Sequence, residues 1–205
     1  MKPLAQGAEA VIYLKKNRVV KKRIKKNYRL PQIDLKLRKE RTKKEASILH
    51  KLQLAGVNVP QLTKISEFEL EMEFLDGVKL RDYLDKGIKR YKNIPSICRL
   101  AGAEIAKVHK CGIFHGDLTT SNMILKNNTL YLIDFGLGDY SLRVEDFAVD
   151  LHIFKECLTS KHNAVWKTCW QSFLQGYESV DKEFAKTVLK RLKAVELRGR
   201  YKHVG

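Results

Sequence analysis

His115-Gly116-Asp117-Leu118-Thr119-Thr120-Ser121-Asn122, followed twelve residues later by Asp134-Phe135-Gly136, is the stretch of this 205-residue chain on which its fold turns. Two carboxylates and an amide at these spacings suit a site that holds metal ions on ATP phosphates and orients an attacking hydroxyl or water. Phosphoryl transfer asks a protein for charge neutralisation and alignment more than for covalent chemistry. Asp117 is placed to accept or orient the proton of the nucleophile. Asn122, five residues on, can turn its amide oxygen to a metal if the loop folds back between the two. Asp134 follows the apolar run 130–133, which reads as a buried strand, and Gly136 allows a sharp turn beyond Phe135. A carboxylate at a strand end is the second metal ligand expected.

Such a site needs a phosphate-binding lysine on an upstream strand and an acid on the helix after it. Arg18-Val19-Val20-Lys21-Lys22-Arg23-Ile24 looks like that strand. Alternation puts Lys21 on the opposite face from Val20 and Lys22, and either lysine could serve. A helix is expected from about 34 to 54, capped by Gly56. Ile48, Leu49 and Leu52 form one apolar stripe on it, and Glu45 lies on that stripe. An acid on the core side of a basic helix is costly without a cation, which favours a pair with Lys21 over a surface pair with Arg41 or Lys44. Near the N-terminus, Gln6-Gly7-Ala8-Glu9-Ala10 precedes an apolar strand and reads as a turn over phosphates, with one glycine where a protein kinase has three.

The remainder shows helical patterns near 94–111, 145–158, 163–177 and 181–197, in keeping with a small helical lobe. Val165, Trp166, Cys169, Trp170, Phe173 and Leu174 recur at helical spacing and are expected to pack a core. Only thirteen residues separate Gly136 from Asp150, with no Ala-Pro-Glu among them. Gly116 also stands where an arginine would answer an activation-loop phosphate, so switching by loop phosphorylation is not expected.

The net charge of +17 is uneven: residues 15–44 hold fifteen basic and two acidic side chains, and residues 182–203 hold eight and two. That imbalance points to a polyanion, with nucleic acid preferred and contacts mainly to phosphate. The four cysteines, at 98, 111, 157 and 169, have no paired short spacing that argues for zinc or a disulfide framework. No apolar run is long enough to span a bilayer and no signal peptide is seen, so a cytoplasmic protein without a membrane partner is expected.

Together these residues resemble an atypical protein-kinase-like family, the PRPK-like kinase/ATPase subunit of the KEOPS complex. The likeness is carried by Gln6-Gly7-Ala8-Glu9-Ala10, Lys21-Lys22-Arg23, Tyr28-Arg29-Leu30-Pro31, Arg41-Thr42-Lys43-Lys44-Glu45-Ala46, the two motifs quoted first, Glu145-Asp146-Phe147-Ala148-Val149-Asp150-Leu151 and Arg198-Gly199-Arg200. The resemblance implies an α+β fold with two lobes: an N-lobe at 1–75 of antiparallel sheet plus one long helix, a reduced and mostly helical C-lobe at 76–197, and a basic tail at 198–205. It implies Mg2+ and ATP, and it selects Lys21 as the phosphate lysine with Glu45 as its partner. Asp117 becomes the catalytic-loop acid, and Asn122 and Asp134 the metal ligands. Gly7, Ala8 and Glu9 would lie over the nucleotide, and backbone groups of Glu73 and Leu75, in a stretch resembling the hinge between lobes, would meet adenine. Arg198, Arg200 and Lys202 would contact tRNA or a partner. The tail ends Tyr201-Lys202-His203-Val204-Gly205, where the family more usually has Lys-Arg-Ser before the closing residues.

The function so implied is Mg-ATP-dependent kinase or ATPase activity supporting threonylcarbamoyladenosine modification of tRNA. The expected partners are the other KEOPS subunits, chiefly the threonylcarbamoyl-transferring one. Two other readings compete: a small-molecule phosphotransferase of the aminoglycoside-kinase type, which shares His-Gly-Asp, and a non-enzymatic tRNA-binding scaffold.

Overall fold

Residues 10–14 are an apolar run, Val19 and Val20 stand among basic residues, and 69–73 alternate polar with apolar; in the computed structural model, which describes residues 2–7, 9–86 and 93–200, these stretches lie in one antiparallel sheet. Its strands are β1 (Lys2–Gln6), β2 (Ala10–Lys15), β3 (Arg18–Arg23), β4 (Leu62–Ile65) and β5 (Glu69–Glu73), in the order β1-β2-β3-β5-β4. β3 is central, and Lys21 stands opposite Ile12 on one side and Leu70 on the other. Helix α1 (Pro31–Leu54) begins a few residues before the expected start, because proline at the first helical turn has no donor to lose and its φ is already helical. The helix ends where Gly56, at φ 70, lets Val57 N–H reach Leu52 O at 3.0 Å. Ile48, Leu49 and Leu52 are buried, and Ala46 packs with Leu70 and Met72. This unit, Met1–Asp76, is one of two; Gly77–Gly205 is the other.

The second unit has two small sheets. β6 (Val78–Lys79), β8 (Met123–Lys126) and β9 (Thr129–Leu132) form one, in the order β6-β8-β9; β7 (Ile113–Phe114) pairs with β10 (Asp139–Tyr140). The β8–β9 hairpin turns on Asn127 and Asn128, both at positive φ, as a tight primed turn requires. Among its described residues, five helices complete it: α2 (Leu80–Asp85), α3 (Ile94–Lys110), α4 (Val144–Lys161), α5 (Trp166–Val180) and α6 (Lys182–Arg200). The core of α5 is Val165, Cys169, Trp170, Phe173 and Tyr177, while Trp166 and Leu174 are only half buried. α6 buries Ala185, Val188, Leu192 and Val195 and exposes Lys182, Lys186, Lys190 and Lys193, an amphipathic split at helical period. It continues to Arg200, so the first three residues of the expected tail are helical; residues 201–205 lie outside the described residues.

α3 and α5 cross at two glycines. A Cβ on Gly102 would stand 1.9 Å from Phe173 O, and one on Gly176 would stand 1.9 Å from Arg99 O. Backbone meets backbone there, so no side chain can yield to make room. Gly102→Ala should therefore destabilise the protein by about 3 kcal/mol or more, as overpacking against an unyielding neighbour does, read as a lower midpoint in denaturant unfolding.

Candidate functional site

In the first unit the site grows from the pleat of β3. Alternation sends Lys21 and Arg23 to the same face, towards α1, and Glu45 on the buried stripe of α1 meets both. Lys21 Nζ lies 2.6 Å from Glu45 Oε1, and Arg23 Nη2 lies 2.6 Å from Glu45 Oε2. Arg41, the surface alternative for Glu45, pairs instead with Glu9 at 3.0 Å. All three of Lys21, Arg23 and Glu45 are under a tenth exposed. One carboxylate thus answers two buried cations. The share taken by Arg23 was missed in the sequence, although the same alternation rule that marks Lys21 marks the residue two places on.

The turn between β1 and β2 is closed by Gly7 N–H to Ala10 O at 2.9 Å. Glu9 is held by Arg29 and Arg41, at 2.9 and 3.0 Å. The Arg29 hydrogen bond keeps its carboxyl below the usual carboxylate range, against the opposing effect of partial burial. Ala8 lies outside the described residues. Glu73 N–H is committed to Gln61 O at 2.9 Å, and Leu75 is buried.

In the second unit Asp117 and Asp134 are exposed and Asn122 is half buried. The turn Thr120–Asn122 folds the loop back, and Asn122 Nδ2 donates to Asp117 O and to Asp117 Oδ2, both at 2.9 Å. The amide oxygen, the one Asn122 side-chain atom able to ligate a cation, takes part in neither bond. Ile133 N–H donates to Asn122 O at 3.0 Å, and Ile133 O accepts from His115 Nε2 at 3.0 Å. Asp134, next in sequence, is thereby tied to the loop that carries Asp117 and Asn122. Its backbone is left-handed, at φ 63, a strained conformation that a short carboxylate side chain tolerates better than most. Asp117 N–H donates to His115 Nδ1 at 3.3 Å, so a neutral His115 with its hydrogen on Nε2 serves both bonds.

Gly116 is at φ 80, and a Cβ there would stand 2.3 Å from Leu137 O. That approach gives the physical reason for glycine at the position where arginine would answer an activation-loop phosphate. Beneath the loop, the buried Asp150 accepts from His115 N–H, from Gly116 N–H at 2.9 Å and from His109 Nε2 at 3.3 Å. Burial pushes its carboxyl up, but the His109 hydrogen bond and the backbone donors outweigh this and hold it below its ordinary value. Sequence reading assigned Asp150 no role. The available signal was a carboxylate on the face of α4 that also carries Phe147, Leu151 and Phe154.

Arg198 and Arg191 both meet Glu145 at the start of α4. The helix α6 includes Arg200, whose side chain lies outside the description, and Lys202 lies outside the described residues.

Residues 10–137 match the family model of the RIO domain, and the fold is similar to that of the crystal structure of the Rio2 kinase-ADP/Mg2+-phosphoaspartate complex from Chaetomium thermophilum. The TM-score is 0.61 at 17% identity, covering 97% of this chain and 70% of that one. The fold and the site thus define a kinase-like protein of the RIO type. Over nearly its whole length the chain is 40% identical to the KEOPS complex subunit Bud32 of Pyrococcus abyssi, covering 98% of this chain and 97% of that protein. It is 36% identical to a probable serine/threonine-protein kinase BUD32 homolog of Archaeoglobus fulgidus, covering 95% and 94%. The chain belongs to the Bud32 family. It is also 41% identical to a probable bifunctional tRNA threonylcarbamoyladenosine biosynthesis protein of Methanobrevibacter smithii, covering 98% of this chain but only 37% of that longer one.

Removing the carboxylate that serves two buried cations should cost about 3–5 kcal/mol, so Glu45→Gln is expected to lower the denaturant midpoint markedly while Lys44→Gln changes it little. Acidification gives a second check. A carboxyl held below 3.8 favours the folded state above that pH, and the benefit disappears as pH falls through the folded-state value. Asp150→Asn should be less stable than the parent at neutral pH and lose less stability than the parent below pH 3.8 in an acid titration followed by circular dichroism.

Proposed function

We propose that this chain is an ATP-dependent phosphotransferase or ATPase that supports threonylcarbamoyladenosine modification of tRNA as a KEOPS subunit. The observation that carries the chemistry is the Asp117–Asn122 loop tied through Ile133 to Asp134, because it presents carboxylate and amide oxygens from one cross-braced segment. Oxygen donors of this kind fit Mg2+, which takes few protein ligands and keeps water and phosphate oxygens for the rest. Asn122 and Asp134 are the residues that would hold it, with Asp117 beside them left for the nucleophile. When bound, Mg2+ neutralises charge on the phosphates of the ATP substrate.

The chain's own residues divide the remaining work. Lys21 meets phosphate oxygens, with Glu45 holding its ammonium in place and Arg23 bracing the other carboxylate oxygen of Glu45. Asp117 orients the attacking hydroxyl or water, and the Asn122 amide fixes the carboxylate's rotamer. Gly7, Ala8 and Glu9 cover the nucleotide, and Glu73 offers its carbonyl, and Leu75 its backbone, to the adenine edge. A cytoplasmic setting fits this reading, and among the described residues no helix is long and apolar enough to cross a membrane.

The partner assignment draws on relatives. One full-length relative is a KEOPS complex subunit, and in longer bifunctional relatives a stretch like this chain makes up about a third of one polypeptide. Fusion of two modules keeps them at high effective concentration, which favours a working partner for this one. We assign that partner to the threonylcarbamoyl-transferring subunit, contacted by Arg198, Arg200 and Lys202 near the chain's end. The exposed lysines of α1 and α6 supply a phosphate-directed surface for tRNA.

Phosphate release from ATP by the purified chain, with and without tRNA, tests the whole reading. Asp134→Asn should reduce release by about a hundredfold or more, the scale of losing one preorganised charge contact, and tRNA stimulation should weaken steeply between low and physiological salt. ATP binding without Asp134-dependent release, alone or with partner subunits added, would sink the enzyme reading and leave a tRNA-binding scaffold.

A further inference from the structure

Thr120, between Asp117 and Asn122, is 1% exposed and faces the interior of the second unit. Its Oγ1 lies 2.9 Å from His162 Nε2, with Cys157 Sγ at 3.6 Å. His162 closes α4 and is fixed on both sides, its N–H on Leu158 O at 2.9 Å and its carbonyl on Val165 N–H at 3.0 Å. The ring is therefore anchored by backbone. Its other nitrogen, Nδ1, lies 2.9 Å from Asp85 Oδ1 at the end of α2, within ion-pair reach but off the line of a hydrogen bond. The Asp85 side chain is 52% exposed and lines an open groove of about 580 Å³ with Lys79, Arg81, Asp82 and Lys86.

A carboxylate, an imidazole and a hydroxyl thus stand in line from the groove to the turn that carries Asn122. The order is that of an activated nucleophile, but Thr120 Oγ1 is sealed from any substrate, so the arrangement can act only by holding position. Burial pushes His162 below its ordinary value, against the pull of Asp85 and with Arg81 adding to the depression. A neutral ring whose Nε2 accepts the Thr120 hydroxyl hydrogen keeps Nδ1–H on the Asp85 side. Asp85 is the solvent-facing member, and its Oδ1 lies 2.9 Å from His162 Nδ1. Above the turn Asn122 is held by Asp117 and by Ile133 N–H; below it, Thr120 reaches His162 at the end of α4.

We propose that Asp85, His162 and Thr120 form a relay that positions the Thr120–Asn122 turn, with His162 as a positioning residue for Asn122 and Asp85 as its solvent-facing end. Loss of the Asp85 contact is expected to loosen the turn that carries Asn122. The kinetic consequence rests on the phosphotransfer reading above; the structural consequence does not.

Four variants test it: Thr120→Val, which keeps shape and removes the hydroxyl; Thr120→Ser, which keeps the hydroxyl; His162→Gln; and Asp85→Asn, a surface change that leaves folding intact. Amide hydrogen exchange over residues 119–123 should quicken about tenfold in Thr120→Val and His162→Gln, the scale of one lost hydrogen bond. The same exchange should stay near the parent rate in Thr120→Ser and lie between the two in Asp85→Asn. ATP hydrolysis should follow that order in kcat with KM for ATP nearly constant. Exchange in Thr120→Val or Asp85→Asn equal to the parent overturns the relay, as does failure of Thr120→Ser to restore it. A parent chain that hydrolyses no ATP under any condition overturns the proposed function alone, because exchange still decides the relay.

Discussion

Asp150 is a buried carboxylate whose contacts set the geometry of everything chemical in the second unit. It accepts the N–H groups of His115 and Gly116 from below, which fixes the backbone one residue before Asp117. His115 then pins Ile133 with its ring, and Ile133 pins Asn122. One buried charge therefore orders three separate stretches of chain through a short run of hydrogen bonds. Such a charge is tolerable only when its lone pairs are filled, and His109 completes the set. Tyr177 in turn bonds the other side of His109 at 2.8 Å. Burial and the nearby Asp150 charge push the Tyr177 hydroxyl far above its ordinary value, so it stays protonated. The α3–α5 crossing, made close by Gly102 and Gly176, is what brings Tyr177 within reach of His109.

The first unit solves a related problem with the opposite sign. Glu45 is the carboxylate, and the groups it serves are cations on one face of β3. A single buried lysine opposite a single glutamate would be a neutral pair. Arg23 takes the second carboxylate oxygen, so one glutamate positions both cations on that face. The turn at Gly7 and Glu9 is braced by Arg29 and Arg41, so much of the basic run in 15–44 works inside the unit. Lys15, Arg18 and Lys22 likewise meet Glu71 or Glu69. The exposed positive charge is consequently smaller than the composition implies, and part of it stands on Lys36, Lys43 and Lys51 of α1 and on Lys182, Lys186, Lys190 and Lys193 of α6.

The motif spacing placed Asp117, Asn122 and Asp134 on one loop and the strand after it, and helical periodicity placed Glu45 on the buried stripe of α1. Both rest on local rules: the period of a strand or helix, and the short reach of a loop. The start of α1 at Pro31 and the extension of α6 to Arg200 differ by a few residues from the expected bounds, since propensity changes slowly along a helix end. Arg23 was legible in principle from the same alternation as Lys21. Asp150, His109 and His162 were not, because their partners lie far away in sequence and no local pattern marks a polar residue that will be buried among helices.

Sequence by itself determined the kinase-like α+β architecture, through the family likeness of its motifs, and the placing of Glu45 on the buried stripe of α1, because helical period is written in neighbouring residues. Tertiary structure alone decided that Gly116 must be glycine against Leu137 O, that one glutamate serves two cations, and that Thr120 reaches Asp85 through His162. Those outcomes depend on which distant atoms are brought within a few ångströms, and packing of whole elements sets that.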